Sequence, residues 1–223
     1  MIKLAPAGLK DDIEMRKVYA GFVAGQIEAG SPIIALEADL MSSMAMDSVA
    51  RDYPQHVINC GIMEANVIGT AAGLALTGRK PFVHTFTAFA SRRCFDQLFM
   101  ALDYQRNNVK VIASDAGVTA CHNGGTHMSF EDMGIVRGLA HSVVLEVTDA
   151  VMFADILRQL MDLDGFTGYV PSVSRRGVSM RQALPLPLAR ATYCARAMIL
   201  RLSPTALWWR RRWRRRANWS RKA

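Results

Sequence analysis

HVINCGIMEANVIGTAAGLALTGRKPFVHTF, residues 56–86, decides the fold. The stretch opens on a short apolar run, His56-Val57-Ile58-Asn59-Cys60, and closes on another, Pro81-Phe82-Val83-His84-Thr85-Phe86. Between them lies a helix of small residues from Met63 to Thr77, closed by Gly78. Short runs rich in β-branched and aromatic residues read as strands, and the longer stretch between them as a helix. Strand, helix and strand in succession predict a parallel sheet.

The same alternation extends to both sides. Upstream, Asp11 or Asp12 can cap a helix with Met15, Val18, Tyr19, Phe22, Val23 and Ile27 on one face, stopped by Gly30. Pro32 to Leu36 is a buried strand whose chain leaves the sheet through Glu37-Ala38-Asp39. Downstream, a long helix is predicted over Phe89–Tyr104 and a strand over Val109–Ala113. A loop with Gly117, Gly124 and Gly125 follows, then a helix from Ser129 to Leu139, a strand from Ser142 to Val147 and a helix from Ala150 to Leu163. Apolar strands alternating with helices mean an α/β fold, a parallel sheet with helices on both faces. Ligands of such sheets sit beyond the carboxyl ends of the strands. The candidate positions are therefore Asp39, the residues after Cys60, Phe86 onward, and Asp115–His127.

Charge divides the chain in two. Residues 1–164 hold all 19 acids against 13 Lys and Arg, a net of −6, whereas residues 165–223 hold 14 basic residues and no acid. The overall charge of +8 therefore says little about what the folded part binds. Cys60, Cys94, Cys121 and Cys194 form no C-x-x-C pair, which argues against a disulfide framework or zinc site and for reduced thiols. Acids stand where a signal peptide needs its apolar stretch, and no apolar run approaches the ~20 residues of a membrane span. A soluble, cytoplasmic protein is expected.

Taken singly, the polar residues at the strand ends admit more than one reading. Glu64 heads the small-residue helix, where the helix dipole stabilises a carboxylate whatever else it does. Phe86 and Phe89, three apart, suit a hydrophobic core as well as a ligand platform. His127 follows Gly124-Gly125-Thr126 on a glycine loop, where a histidine is more often exposed than held in a core.

Taken in order, the segments resemble the transketolase family. Gly61-Ile62-Met63-Glu64-Ala65-Asn66, continuing to Gly69, Ala71 and Gly73-Leu74-Ala75, is similar to that family's glycine-x-x-glutamate helix. Thr85-Phe86-x-x-Phe89 is similar to its aromatic strand end, Gly124-Gly125-Thr126-His127 to its histidine loop, and Glu37-Ala38-Asp39-Leu40 to its alanine-aspartate-leucine turn. The likeness covers about residues 10–170 and points to the central, pyrimidine-binding domain. It implies thiamine diphosphate as cofactor, with the organic chemistry carried by the cofactor and orientation by the protein. Glu64 would hydrogen-bond ring nitrogen N1′ of the aminopyrimidine and favour its imino tautomer. Phe86 and Phe89 would pack on that ring, His127 would face the sugar, and Asp39 would lie near the cofactor. Arg92 stands where members often carry a third aromatic, and is carried over as a cofactor neighbour. Asn123 stands where an acid usually precedes the histidine loop, so it is carried over as a substrate neighbour that reads the sugar differently.

No glycine-aspartate-glycine motif followed by asparagine is present, so magnesium and the diphosphate would be held by a separate diphosphate-binding transketolase subunit. This chain is expected to contribute no metal ligand. Self-association and a sugar phosphate substrate are also implied, with no nucleic acid or membrane partner. The nearest rivals are 1-deoxyxylulose-5-phosphate synthase and the β chain of 2-oxoacid dehydrogenases. The histidine loop favours transketolase over the dehydrogenase.

The expected domain covers residues 1–170, and residues 171–223 form a basic tail ending in interleaved Arg and Trp. Such a tail suggests a nucleic-acid or membrane patch, a rival function of another class. A frameshift with its onset between Val170 and Ser179 explains it better. Back-translating Met180–Ala223 and reading from the third base of each codon permits a sequence with restored acids, a strand LTIIAYGI and an amphipathic Ala/Glu/Leu helix. That sequence resembles the start of the family's next domain. On this reading the tail has no selected role, is disordered or aggregation-prone, and leaves the chain truncated, a change that can abolish activity.

Overall fold

The computed structural model describes residues 13–147 and 149–172. The expected cap at Asp11 or Asp12 and the tail beyond Ser172, with Cys194, lie outside the described residues.

Among the described residues six parallel strands form one sheet: β1 (Ile33–Glu37), β2 (Val57–Asn59), β3 (Lys80–Phe86), β4 (Lys110–Ser114), β5 (Val143–Val144) and β6 (Thr167–Ser172), in the order β2-β1-β3-β4-β6-β5. Helix α1 (Met15–Glu28) precedes β1 and the short α2 (Asp47–Asp52) precedes β2. Helix α3 (Glu64–Leu76) links β2 to β3 and ends before Gly78, whose φ of +84° suits glycine. The order reverses at β1, which has β2 on one side and β3 on the other. This is the kind of switch point outside which parallel sheets bind ligands.

Side chains alternate across the strands and separate two apolar cores. Ile33 and Ala35 pack with Met15, Tyr19 and Val23 of α1 and with Phe153, Ile156 and Leu160 of α6 (Ala150–Asp162). Ile34 and Leu36 pack on the other face with Val67, Ile68 and Ala71 of α3 and with Leu98 and Leu102. Each large apolar side chain so enclosed contributes about 1.5–3 kcal/mol.

Four expectations need correction. The long helix over Phe89–Tyr104 is instead two π-helical stretches, Phe89–Arg93 and Leu98–Asp103, around one α turn, α4 (Phe95–Gln97). Side chains compete there for the backbone acceptors. Ser91 Oγ donates to the Thr87 carbonyl, Arg92 Nε to that of Ala88, and Cys94 Sγ to those of Phe89 and Ala90. Such bonds to the preceding turn loosen the i to i−4 ladder. The helix expected from Ser129 to Leu139 shrinks to α5 (Asp132–Val136), because Gly134 and Gly138 weaken it. The strand expected from Ser142 to Val147 keeps only β5, and the missed β6 runs to Ser172, with Pro171 beside Ala113 of β4. Glu37, expected in the polar exit loop, is instead the last residue of β1 and fully buried.

That buried carboxylate is held across the sheet. His84, opposite it on β3, places Nδ1 2.6 Å from Glu37 Oε2 and Nε2 3.0 Å from Ser114 Oγ on β4. All three residues are inaccessible to solvent. Burial, and then the adjacent Glu37 charge, push the Tyr19 hydroxyl well above its ordinary pKa.

Two lysines close the opposite end of the sheet. Lys80 Nζ donates to the Met161 carbonyl, and Lys110 Nζ to Leu163 O, Gly165 O and Asn108 Oδ1. Both clasp the C-terminus of α6 and the turn after it, where the helix dipole favours positive charge. Burial lowers Lys110 to about 7, opposed by Asp164 and assisted by Lys80. An unfolded lysine titrates near ~10.4, so from about pH 7 upward the unfolded chain holds a proton that the folded chain has released. Stability from this site should therefore rise with pH across that window and level off below pH 7. Urea titrations of wild type and Lys110→Met from pH 7 to 9.5 should show wild type gaining on the variant. A constant gap would contradict this account.

Candidate active site at the carboxyl edge of the sheet

Three loops leave the carboxyl ends of β2, β3 and β4 and bring the candidate residues together. The first delivers Glu64. Asn59, at the end of β2, accepts from the Asp39 and Gly61 backbone N–H groups at 3.0 Å each, and its amide donates to Asp39 Oδ1 at 3.0 Å. Asp39 and Gly61 both have positive φ, +61° and +74°, so this polar knot turns two chain segments sharply at once. Asp39 is exposed, and its visible work is to orient the turn that opens α3. Glu64 then occupies the first turn of α3 and is only 2% exposed.

The second loop carries the aromatics. The half-buried Phe86 and Phe89 lie 6.1 Å apart between ring centroids. The third loop brings His127 edge-on to both rings, 5.9 Å from Phe86 and 5.1 Å from Phe89. Thr126 Oγ1 lies 3.0 Å from His127 Nδ1. Asn123 ends the exposed turn Cys121–Asn123 ahead of this loop. A cavity of about 390 Å³ opens beside the cluster, lined by Ala88, Phe89, Arg92, Arg93 and Thr126.

Arg92 lines this cavity, but its guanidinium works on the loop. Nη2 donates to the Thr126 and Met128 carbonyls at 3.2 Å each, and Nη1 lies 3.3 Å from Glu131 Oε1. It thereby staples the segment that carries His127 to the π-helical turn. Arg93, which the sequence reading passed over, is the residue that touches Glu64. Its Nη1 donates to Glu64 Oε1 and Oε2 at 2.7 and 2.8 Å, and its Cζ lies 4.2 Å above the Phe89 ring. The available signal was a cation one turn after Phe89, facing a buried acid. Burial, and then the Glu64 charge, push the neighbouring Cys94 thiol up to about 12, so it packs as a neutral group.

Phe86, Phe89 and His127 therefore meet in one cluster, to which Glu64 is joined through Arg93, while Asp39, Arg92 and Asn123 belong to the segments around it. A buried carboxyl group separated from an aromatic face by one planar side chain, with a cavity next to that face, suits a planar nitrogen heterocycle. The acid can share a proton with a ring nitrogen while the phenylalanines cover the ring.

Comparison with known proteins identifies the family of the domain. The family described as "Transketolase, pyrimidine binding domain" matches residues 11–168. The chain is 41% identical over 151 residues to the "6-deoxy-6-sulfo-D-fructose transketolase subunit SqwH" of Clostridium sp. (strain MSTE9), covering 68% of this chain and 47% of that protein. It is 33% identical over 160 residues to the "Putative transketolase C-terminal section" of Methanocaldococcus jannaschii, covering 69% and 51%. The chain thus spans about half the length of these relatives. A structure described as "Split gene transketolase, inactive beta4 tetramer" superposes with a TM-score of 0.67 at 29% identity, covering 78% of this chain and 55% of that one. Campylobacter jejuni transketolase shares the fold, with a TM-score of 0.69 at 15% identity over 80% of this chain and 28% of that one. This chain belongs to the transketolase family, and the sheet with its three carboxyl-end loops is that family's pyrimidine-binding domain.

Proposed function

We propose that this chain is one half of a thiamine-diphosphate-dependent transketolase, completed by a separate diphosphate-binding subunit and moving a two-carbon ketol unit between sugars. The observation that carries the reading is the buried Glu64 at the head of α3, joined through Arg93 to the Phe86, Phe89 and His127 cluster beside a cavity. When bound, thiamine diphosphate supplies the carbon nucleophile. Glu64 holds a proton at N1′ of the aminopyrimidine, and Phe86 and Phe89 exclude water from the ring and fix its plane. His127 faces the sugar's hydroxyls or carbonyl, and Asn123 lies toward the same substrate. Asp39 and Arg92 act on the turns that carry these groups. Magnesium and the diphosphate fall to the partner subunit. The relatives at hand favour neither the synthase nor the dehydrogenase alternative, and among the described residues no helix is long and apolar enough to cross a membrane.

The frameshift belongs to the same proposal. The match to the pyrimidine-binding domain ends at residue 168, and residues 165–223 carry 14 basic side chains and no acid. Resequencing the gene tests this, since an intact single frame shared by close relatives with the same Arg/Trp ending would refute it. For the activity, the chain is mixed with the product of a neighbouring gene, thiamine diphosphate and magnesium, and ketose consumption is followed. Sugar phosphates and 6-deoxy-6-sulfo-D-fructose are both offered, because one relative is named for the latter. Turnover that needs both chains and the cofactor is expected of the in-frame protein. Turnover by either chain alone would overturn the two-subunit reading.

A further inference from the structure

Arg93 has no part in the function proposed above, yet it makes the closest contacts to the two residues that function needs most. The π-helical turn Phe89–Arg93 brings its side chain back over Phe89. There the flat guanidinium covers the ring while one nitrogen donates to both oxygens of Glu64. A heterocycle that shares a proton with Glu64 and lies on Phe89 has to meet the same two surfaces. A planar cation bearing N–H groups fits such a place because it can stack on an aromatic ring and hydrogen-bond a carboxylate at once.

We infer that Arg93 is an internal placeholder for the aminopyrimidine, filling the position between Glu64 and Phe89 until the ring enters and the arginine swings outward. The inference rests on the roles given above to Glu64 and Phe89. Exposure of the pair is unequal, 2% for the Glu64 side chain and 48% for Arg93. The acid is thus the member that needs a partner, because a buried carboxylate without one is costly. Half in solvent already, the arginine can leave without opening the core. Arg92 is not free to exchange with it, being tied to the Ala88, Thr126 and Met128 carbonyls and to Glu131. On this account the chain trades cofactor affinity for an acid that is never left bare.

The test is calorimetric titration of thiamine diphosphate with magnesium into the complex of the full chain and its diphosphate-binding partner, together with thermal melting of the chain alone. Arg93→Met removes the competing cation and keeps an apolar stem, so it should bind the cofactor about tenfold more tightly, corresponding to one broken competing contact of ordinary strength. The same variant should melt several degrees lower, and adding Glu64→Gln should restore most of that loss. Arg93→Lys, which keeps the charge but not the plate, should bind with intermediate affinity and serves if the methionine variant fails to fold. If Arg93→Met and Arg93→Lys bind no more tightly than wild type while Glu64→Gln binds more weakly, the placeholder is refuted and the Glu64 site stands. If Glu64→Gln alone leaves cofactor affinity unchanged, the site itself is wrong and the placeholder falls with it.

Discussion

Glu64→Gln should lower ketol transfer by the enzyme reconstituted from the in-frame chain and its partner about 10²–10⁴-fold, the range lost when a positioned acid–base group is removed. Glutamine keeps the length and shape of the side chain and can still accept a hydrogen bond from Arg93. It cannot share a proton with a ring nitrogen as an acid does. The loss should therefore fall on kcat, and the chain should remain folded with a melting temperature within a few degrees of wild type. Glu64→Asp withdraws the carboxyl by one methylene from the position that α3 fixes and should lose most of the same activity. Measuring kcat and melting together separates chemistry from folding. Wild-type turnover by the glutamine variant would remove Glu64 from its role.

The second large effect concerns stability. Replacing His84 by leucine strips the fully buried Glu37 of its 2.6 Å partner. A buried carboxyl group left without its hydrogen-bond partner costs about 1–3 kcal/mol, and more when it is charged, against a typical total of roughly 5–15 kcal/mol for a domain. His84→Leu should therefore lower the urea midpoint sharply and reduce soluble yield. The loss should shrink when both partners go, because Glu37→Met with His84→Leu leaves no buried carboxyl group without a partner and should recover most of the stability. A single His84→Leu variant within 1 kcal/mol of wild type would show that Glu37 does not depend on the histidine.

Different parts of the molecule were legible to different degrees. The strands around residues 33–37, 57–59, 80–86 and 110–114 and the helices α1, α3 and α6 could be read within a few residues, since each carries an uninterrupted apolar pattern. The Phe89–Tyr104 segment carries such a pattern too, yet it does not form one α-helix. The cause is the hydroxyl of Ser91, the thiol of Cys94 and the guanidinium of Arg92, which bond carbonyls that a helical pattern assigns to backbone amides. Glu37 was misplaced because a glutamate ending an apolar run reads as the exit from a strand. Only the pairing of β1 with β3 puts His84 opposite it.

Residue order alone determined the α/β class, the family, and the three segments that carry Glu64, Phe86 with Phe89, and His127, because periodicity and motifs are local and survive without coordinates. Tertiary structure decided which of the two adjacent arginines faces the acid and which holds the histidine loop. That choice depends on a widened helical turn and on the distance between separate loops. It also decided that an apparently solvent-bound glutamate is the buried half of a pair across the sheet, since strand register is a relation between segments about fifty residues apart.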